Sequence, residues 1–202
     1  MLAEALPGLV KPRCGNSISY AEAIYSTGLA ASLKGVAAEV DSATADKLRQ
    51  CINSDGGFAW IEGMYSSALV TAVILERCAD SDVLRDLLGD DAVRGAVRYL
   101  DRTYFEKGRL PAWCGGISFE QYMHVRSRFA AIPFDAKDAD GERLSDFRKS
   151  VKEYLVPGKV RGLNGSILLK ARRVQTLRNL VSTDSGIALA RKWGVRLFSG
   201  RR

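Results

Sequence analysis

The fold is decided by residues 50–78, which read QCINSDGGFAWIEGMYSSALVTAVILERC. The segment Asp55–Gly57 lies between two helical patterns, and adjacent glycines reach backbone angles that other residues resist. Asp55 can hydrogen-bond the turn locally, and we expect Phe58 and Trp60 to pin it to the protein body. We interpret six residues as a structural turn that joins one helical hairpin to the next: Asp55, Gly56, Gly57, Phe58, Trp60 and Gly63.

The rest of the chain is a series of helical patterns with short connections. An irregular lead-in over residues 1–16 carries two prolines and two glycines. After it, apolar residues recur at helical spacing. The helix that follows the turn is apolar nearly all round, whereas others are amphipathic. A short helix or a turn is predicted over residues 82–88. Helices are predicted over Ser19–Lys34, Ser42–Asn53, Tyr65–Ala79, Asp90–Phe105, Ser118–Ala131, Glu142–Leu155, Gly162–Val181 and Ser185–Trp193.

The pattern predicts an all-α fold. No segment has sustained strand alternation, and helices that are apolar all round alternate with amphipathic ones. This alternation favours two concentric layers, an inner and an outer ring of helices, over residues 17–198. With 202 residues the chain fits one domain.

The charge is unevenly distributed along the chain. Residues 142–202 hold 15 Lys/Arg and 4 Asp/Glu, a net charge of +11, whereas residues 1–141 hold 15 and 19, a net charge of −4. A basic region can bind nucleic acid or an acidic partner. No aromatic–basic interleaving or nucleic-acid motif accompanies it. A solvated outer face, or contact with a neighbouring domain, is therefore favoured, and no nucleic-acid partner is predicted.

The termini and apolar runs bear on location. No apolar run reaches the length of a membrane span. The first residues, MLAEALP, lack the basic region and long apolar core of a secretory signal. Either the protein is cytoplasmic, or this chain is an excised piece of a longer exported protein.

The four cysteines and the single histidine do not form a metal-binding pattern. Cys14, Cys51, Cys78 and Cys114 are separated by 37, 27 and 36 residues, which resembles no zinc spacing. With His124 the only histidine, we predict no metal site and no cofactor. Buried free thiols are expected. A disulfide bond is the alternative if the protein is exported.

Other reactive side chains also have structural explanations. His124 lies within a predicted helix, where a lone histidine is typically packed or hydrogen-bonded. Asp90 and Asp91 open a helix and complement its dipole. Glu62 is expected to cap the helix after the turn, and Arg126 to pair with a buried acid or carbonyl. Phosphate-loop, dinucleotide and metalloprotease motifs are absent, so no catalytic residue is predicted.

Three segments, in order, resemble the α/α-toroid domain of the bacterial α2-macroglobulin family, especially its Bacteroidetes-type members. The first joins the glycine–aromatic turn Asp55–Gly63 to the helix Ser67–Leu75. The second is Ala92–Leu100, and the third is Gln121–Phe129. Together the segments cover about residues 20–195. The resemblance implies a partial α/α toroid of paired inner and outer helices. Since the chain is short for the family's complete toroid, it also implies a fragment of a larger multidomain protein.

The resemblance implies a non-enzymatic domain of a protease inhibitor. In that family a protease cuts a bait region, the inhibitor changes shape, and the protease is trapped. Some members then capture it covalently through a Cys-x-x-Gln thioester. The resemblance also implies a periplasmic or cell-surface parent chain, whose partners are its own other domains and target proteases. The residues three positions after the four cysteines rule out this thioester here: Ser17, Ser54, Ser81 and Ile117.

Two alternatives stay open. One is an α/α-toroid cyclase, lyase or hydrolase that uses cavity residues such as Glu62, Asp55 and Tyr122. The acidic and zinc-binding constellations of the known toroid enzymes are not found in the sequence. The other is a helical scaffold that binds an acidic partner through its basic C-terminal region.

Overall fold

The structure is a computed structural model that describes residues 8–106, 116–135, 141–155 and 167–181. These residues contain eight α-helices and no β-strand, which confirms the all-α class. No helix among them has the length and apolar character needed to cross a membrane. The chain divides into two compact units, Met1–Ser118 and Phe119–Arg202. The predicted helix Ser185–Trp193 lies outside the described residues.

The elements of the first unit are α1 (Ser17–Lys34), α2 (Ser42–Gln50), α3 (Ala68–Asp80), α4 (Asp82–Leu88), α5 (Asp90–Asp101) and a π-helical turn (Arg102–Glu106). The unit is built around the apolar helix α3, which contacts α1, α4 and α5, and α1 also packs against α2 and α4. The side chains of Ile74 and Leu75 on α3 are completely buried, as is that of Leu84 on α4.

Polar side chains cap the starts of these helices. The Asp41 carboxylate caps α2 by accepting from the Thr44 backbone N–H at 3.0 Å. Hydrogen bonds from the Thr44 hydroxyl and N–H lower the pKa of Asp41. Ser81 ends α3 and caps α4, since its hydroxyl accepts from the Leu84 N–H. Capping therefore fixes the sharp change of direction between α3 and α4.

The start of α3 differs from the prediction. The helix begins at Ala68 rather than Tyr65, and its cap is Ser67 rather than Glu62. Ser66 pairs with Ala59 in an antiparallel bridge, so the residues before Ser67 belong to the turn and not to the helix. Tyr65, expected on a buried helical face, is 97% exposed.

Helix α5 begins as predicted but ends earlier. Asp90 and Asp91 lie in its first turn, where negative charge complements the helix dipole. Its apolar residues, including Val93 and Leu100, are buried at the expected spacing. The α-helical part ends at Asp101, and residues 102–106 continue as a π-helical turn.

The second unit has three described helices, α6 (Phe119–Arg128), α7 (Glu142–Leu155) and α8 (Ile167–Leu180). Helix α8 contacts both α6 and α7. Aromatic rings fill the core, where the centroid of Phe147 lies 5.5 Å from those of Tyr122 and Phe134. These tilted and edge-on arrangements are the favoured ones for aromatic pairs.

One buried arginine closes the end of α6. Arg126 is 1% exposed, and its guanidinium donates to the carbonyl oxygens of Phe129 and Ile132. The guanidinium carbon also lies 4.3 Å from the centroid of the Phe134 ring. Arg126 therefore pairs with carbonyl groups, one of the two kinds of partner that its sequence position predicts. Its two donors therefore hold the turn that follows the helix, where the Phe129 carbonyl also accepts from the Ile132 N–H at 3.0 Å.

We expect Arg126→Lys to destabilise the second unit by about 1–3 kcal/mol. A lysine ammonium lacks the planar set of N–H donors with which the guanidinium reaches both carbonyl oxygens. Urea unfolding followed by far-UV circular dichroism measures the change. Arg178→Lys, at an exposed position of α8, is the matched control and should stay within about 0.5 kcal/mol of wild type. Equal unfolding midpoints for both variants would contradict this role of Arg126.

Candidate functional site

The predicted structural turn is a compact, hydrogen-bonded unit. Isolated antiparallel bridges pair Ile52 with Phe58 and Ala59 with Ser66. The Ala59 N–H donates to the Cys51 carbonyl at 2.8 Å. These main-chain bonds satisfy backbone groups that helices α2 and α3 leave unpaired where they end and begin.

Two side chains hold the inside of the turn. The Asp55 carboxylate accepts from the Gly57 N–H at 3.0 Å and from the Ser66 hydroxyl at 2.7 Å. This confirms the local hydrogen bonding predicted for Asp55. The Asn53 amide donates to the Met64 carbonyl and to the Ser66 hydroxyl, both at 2.9 Å. Asn53 was not predicted as a turn residue; its position two residues before Asp55 is the signal for it, because asparagine readily bonds nearby backbone groups.

The turn requires three of its glycines, the adjacent pair for close approach and the third for its backbone conformation. Gly56 has φ +84°, and a Cβ there would lie 2.6 Å from the carbonyl oxygen of Gly95 on α5. A Cβ on Gly57 would lie 2.6 Å from that of Ser66. Gly63 also has a positive φ of 81°, but no atom lies within 4 Å of its Cβ position. Gly56 and Gly57 therefore permit close approach, whereas Gly63 is required for its backbone conformation alone.

The turn is tied to α3 from the inside. Phe58 is 1% exposed, and its N–H donates to the Thr71 hydroxyl at 2.9 Å. Thr71 is completely buried and donates in turn to the Ser67 carbonyl at 2.8 Å. Phe58 thus pins the turn to the protein body, as predicted.

The turn is also tied to α1 and α5. At the start of α1, the Ser17 hydroxyl donates to the Ala59 carbonyl at 2.6 Å, and the Ser17 N–H donates to the Trp60 carbonyl at 3.0 Å. From α5, the Tyr99 hydroxyl donates to the Ser66 carbonyl at 3.1 Å. One short segment therefore joins three helices of the first unit.

Trp60 differs from the prediction. Its carbonyl binds α1, but its side chain is 42% exposed, so its ring does not pin the turn to the core. Four neighbouring apolar side chains are exposed as well. We call this surface the apolar tip and define it as Trp60, Ile61, Met64, Tyr65 and Leu69.

The residues named for a possible enzyme have different surroundings. Asp55 and Glu62 are exposed residues of the first unit, and the Asp55 carboxylate is engaged within the turn. Tyr122 belongs to the second unit, where its ring is completely buried against Phe147. Within the described ranges, no group of three or more His, Cys, Asp or Glu side chains could hold a metal ion.

The second unit contains a buried polar cluster that sequence reasoning missed. Glu120 on α6 forms an ion pair with Arg173 on α8, and both side chains are largely buried. The Nδ1 atom of His124 lies 3.4 Å from the Thr176 hydroxyl, which also connects α6 to α8. The polar spacing of Arg173 and Thr176 on one helical face is the signal that could have revealed it.

This cluster does not have the geometry of a serine nucleophile and its base. The Ser127 hydroxyl donates to the backbone carbonyl of His124 at 2.6 Å. The Asn179 amide donates to the same hydroxyl at 3.3 Å. His124 is 5% exposed, in agreement with the prediction of a packed, hydrogen-bonded histidine.

The described cysteines are free thiols in two environments. Cys51 and Cys78 are buried, as predicted, whereas Cys14 is exposed, which corrects the prediction for that residue. Burial raises the pKa of Cys78 to about 12. Burial, together with the Glu62 carboxylate, also raises the pKa of Cys51. Cys114 lies outside the described residues.

Comparisons of the chain with protein-family models, with curated proteins and with solved structures give no match.

We expect Gly56→Ala to destabilise the first unit by about 2 kcal/mol or more, because a side chain meets both an unfavourable φ and the backbone of α5. Gly95→Ala is the matched control on the other side of the same contact. A Cβ at Gly95 would lie 3.6 Å from the Gly56 Cα, an ordinary contact. Alanine within a helix should then be neutral or stabilise by up to about 1 kcal/mol.

Urea unfolding of both glycine variants, followed by circular dichroism, tests this difference. If Gly95→Ala is as damaging as Gly56→Ala, the contact is tight from both sides and the geometric argument is wrong.

We expect iodoacetamide at pH 8 to modify Cys14 rapidly and Cys78 only after unfolding. With a pKa of about 12, only about 10⁻⁴ of the Cys78 thiol is ionised at that pH, and burial blocks access as well. Peptide mass spectrometry of native and urea-unfolded samples measures both rates. Equal rates at Cys14 and Cys78 in the native protein would show that Cys78 is not protected.

Proposed function

We propose that this chain is a non-enzymatic α/α-toroid domain of a bacterial α2-macroglobulin-like protease inhibitor. The turn carries the proposal, since it joins α1, α3 and α5 through the contacts of Ser17, Thr71 and Tyr99. A rigid join between successive helical hairpins is what a ring of paired helices requires. In this proposal the parent protein is periplasmic or on the cell surface, and the chain serves protease trapping through it.

The packing of α3 supports an inner position in such a ring. Helix α3 contacts three other helices, and most of its side chains are buried. Helix α5, by contrast, is buried along one face and has exposed charged residues such as Asp91 and Arg94 on the other. This pairing of a buried helix with an amphipathic one is the predicted relation of inner to outer helices.

The apolar tip supports a role in contact between domains. Tryptophan, tyrosine and methionine are enriched at protein interfaces. The tip is held by the Ala59–Ser66 bridge and by the Asn53 bond to the Met64 carbonyl, so it is presented on a hydrogen-bonded base. We propose that it contacts another domain of the parent protein.

The alternative of a basic surface is less well supported. Helix α7 exposes Arg148, Lys149 and Lys152. It also exposes Asp146 and Glu153, which interrupt the positive charge. An acidic partner would therefore meet a mixed surface on this helix rather than a continuous basic one.

The proposal is tested by incubating the full-length parent protein with a general protease. Trapping should suppress cleavage of a large protein substrate while cleavage of a small chromogenic peptide continues. A parent protein carrying Trp60→Ser, Met64→Ser and Tyr65→Ser should remain folded but trap less protease, because the apolar contact is lost. Full activity of the protease on the large substrate beside the wild-type parent would refute the inhibitor proposal.

A further inference from the structure

A groove in the first unit lies between the second half of α1 and the junction of α3 with α4. It contains a cavity of about 230 Å³. Tyr25 and Leu29 of α1 line one wall, and residues 80–83 line the other. Pockets for drug-sized ligands are typically about 300–1,000 Å³. This cavity is smaller, so it suits a protein side chain better than a whole small molecule.

The walls of the groove are built by specific local features. Gly28 also lines the cavity, and a Cβ there would lie 3.1 Å from the Cβ of Val83 on the opposite wall. The missing side chain therefore lets the two walls approach each other closely at Gly28. The opposite wall is fixed by Ser81, whose hydroxyl caps α4 by accepting from the Leu84 N–H at 3.2 Å.

An apolar strip extends from the cavity along α1. Leu29 lines the cavity, Leu33 follows one helical turn later, and Val36 comes just after the helix ends. Leu33 and Val36 are 58% and 60% exposed. Residues four apart lie on the same side of a helix, so Leu33 continues the apolar wall that Leu29 begins.

The edge of the groove at the α3–α4 junction is acidic. Asp80 and Asp82 both line the cavity, whereas no α1 residue that lines it is charged. Asp82 pairs with Arg85 at 2.7 Å, but the Asp82 side chain is 84% exposed. An exposed ion pair of this kind is weak because solvent screens it, so Asp82 is available to a competing cation.

We propose that this groove binds an amphipathic helix of a partner protein. One large apolar side chain enters the cavity, a second packs on Leu33, and a lysine or arginine one turn away pairs with Asp82. An amphipathic helix laid in an apolar groove is a recurring mode of peptide recognition. The acidic edge fits a basic partner and disfavours an anionic membrane surface. The inference is independent of the proposed function.

The probe is a displayed library of amphipathic helical peptides, selected against the whole chain. Each peptide has apolar residues four positions apart and, beside them, a position that is either lysine or glutamate. Selection should enrich a large apolar residue together with lysine. Fluorescence anisotropy then measures the affinity of the selected peptide for wild-type and variant chains.

The variants separate this groove from the rest of the surface. Leu33→Ser with Val36→Ser should weaken binding about tenfold or more, since apolar area at the contact is lost. Asp82→Lys should reverse the preference from lysine to glutamate. The matched control, Met64→Ser with Tyr65→Ser on the apolar tip, should leave binding unchanged. All these positions are exposed, so thermal unfolding should change little.

Three results would overturn the proposal. One is a selection that enriches no more peptide on wild type than on the Leu33→Ser, Val36→Ser chain. Another is binding that the tip variant abolishes and the groove variant does not. The last is a wild-type chain that dimerises in sedimentation experiments while the Leu33→Ser, Val36→Ser chain stays monomeric. That result would identify the occupant of the groove as a second copy of the chain. None of them bears on protease trapping, which is measured separately in the parent protein.

Discussion

The backbone of the turn lies against the backbone of α5, because Gly56 has no side chain to separate them. This close approach places the turn within reach of α5, where Tyr99 can donate to the Ser66 carbonyl. Once the turn is positioned, the Thr71 hydroxyl can accept a hydrogen bond from the Phe58 N–H. Ser17, at the start of α1, can then donate its N–H to the Trp60 carbonyl. The packing of three helices thus depends on one contact without side chains.

The sequence predicted the turn well because its features are local. Adjacent glycines, an aspartate and a following aromatic residue act within a few positions, and both Asp55 and Phe58 have the contacts expected of them. Trp60 could not be placed in the same way. A tryptophan two residues after Phe58 reads as a second anchor, and only the tertiary path of the chain shows that its carbonyl makes the attachment while its ring faces outward.

Helix limits were harder to predict where two local preferences competed. Tyr65 has the helical spacing of α3, but the pairing of Ser66 with Ala59 keeps the chain extended until Ser67 can cap the helix.

The Glu120–Arg173 ion pair was missed for another reason. Its partners are 53 positions apart. The spacing of Arg173 and Thr176 can mark a polar face on α8, but Glu120 is identified as the partner only once α6 and α8 are packed together.

The apolar tip and the groove are exposed for a common physical reason. In each case polar groups fix the backbone nearby: Asn53 and Ser66 at the tip, and Ser81 at the groove. Because hydrogen bonds hold the backbone at the tip and at the groove, the exposed apolar side chains there are not needed to stabilise the local fold. A backbone that is already fixed before a partner arrives loses less conformational entropy on binding. A hydrogen-bonded backbone beside exposed apolar groups is therefore expected of a binding surface, and the first unit has this combination at two separate places.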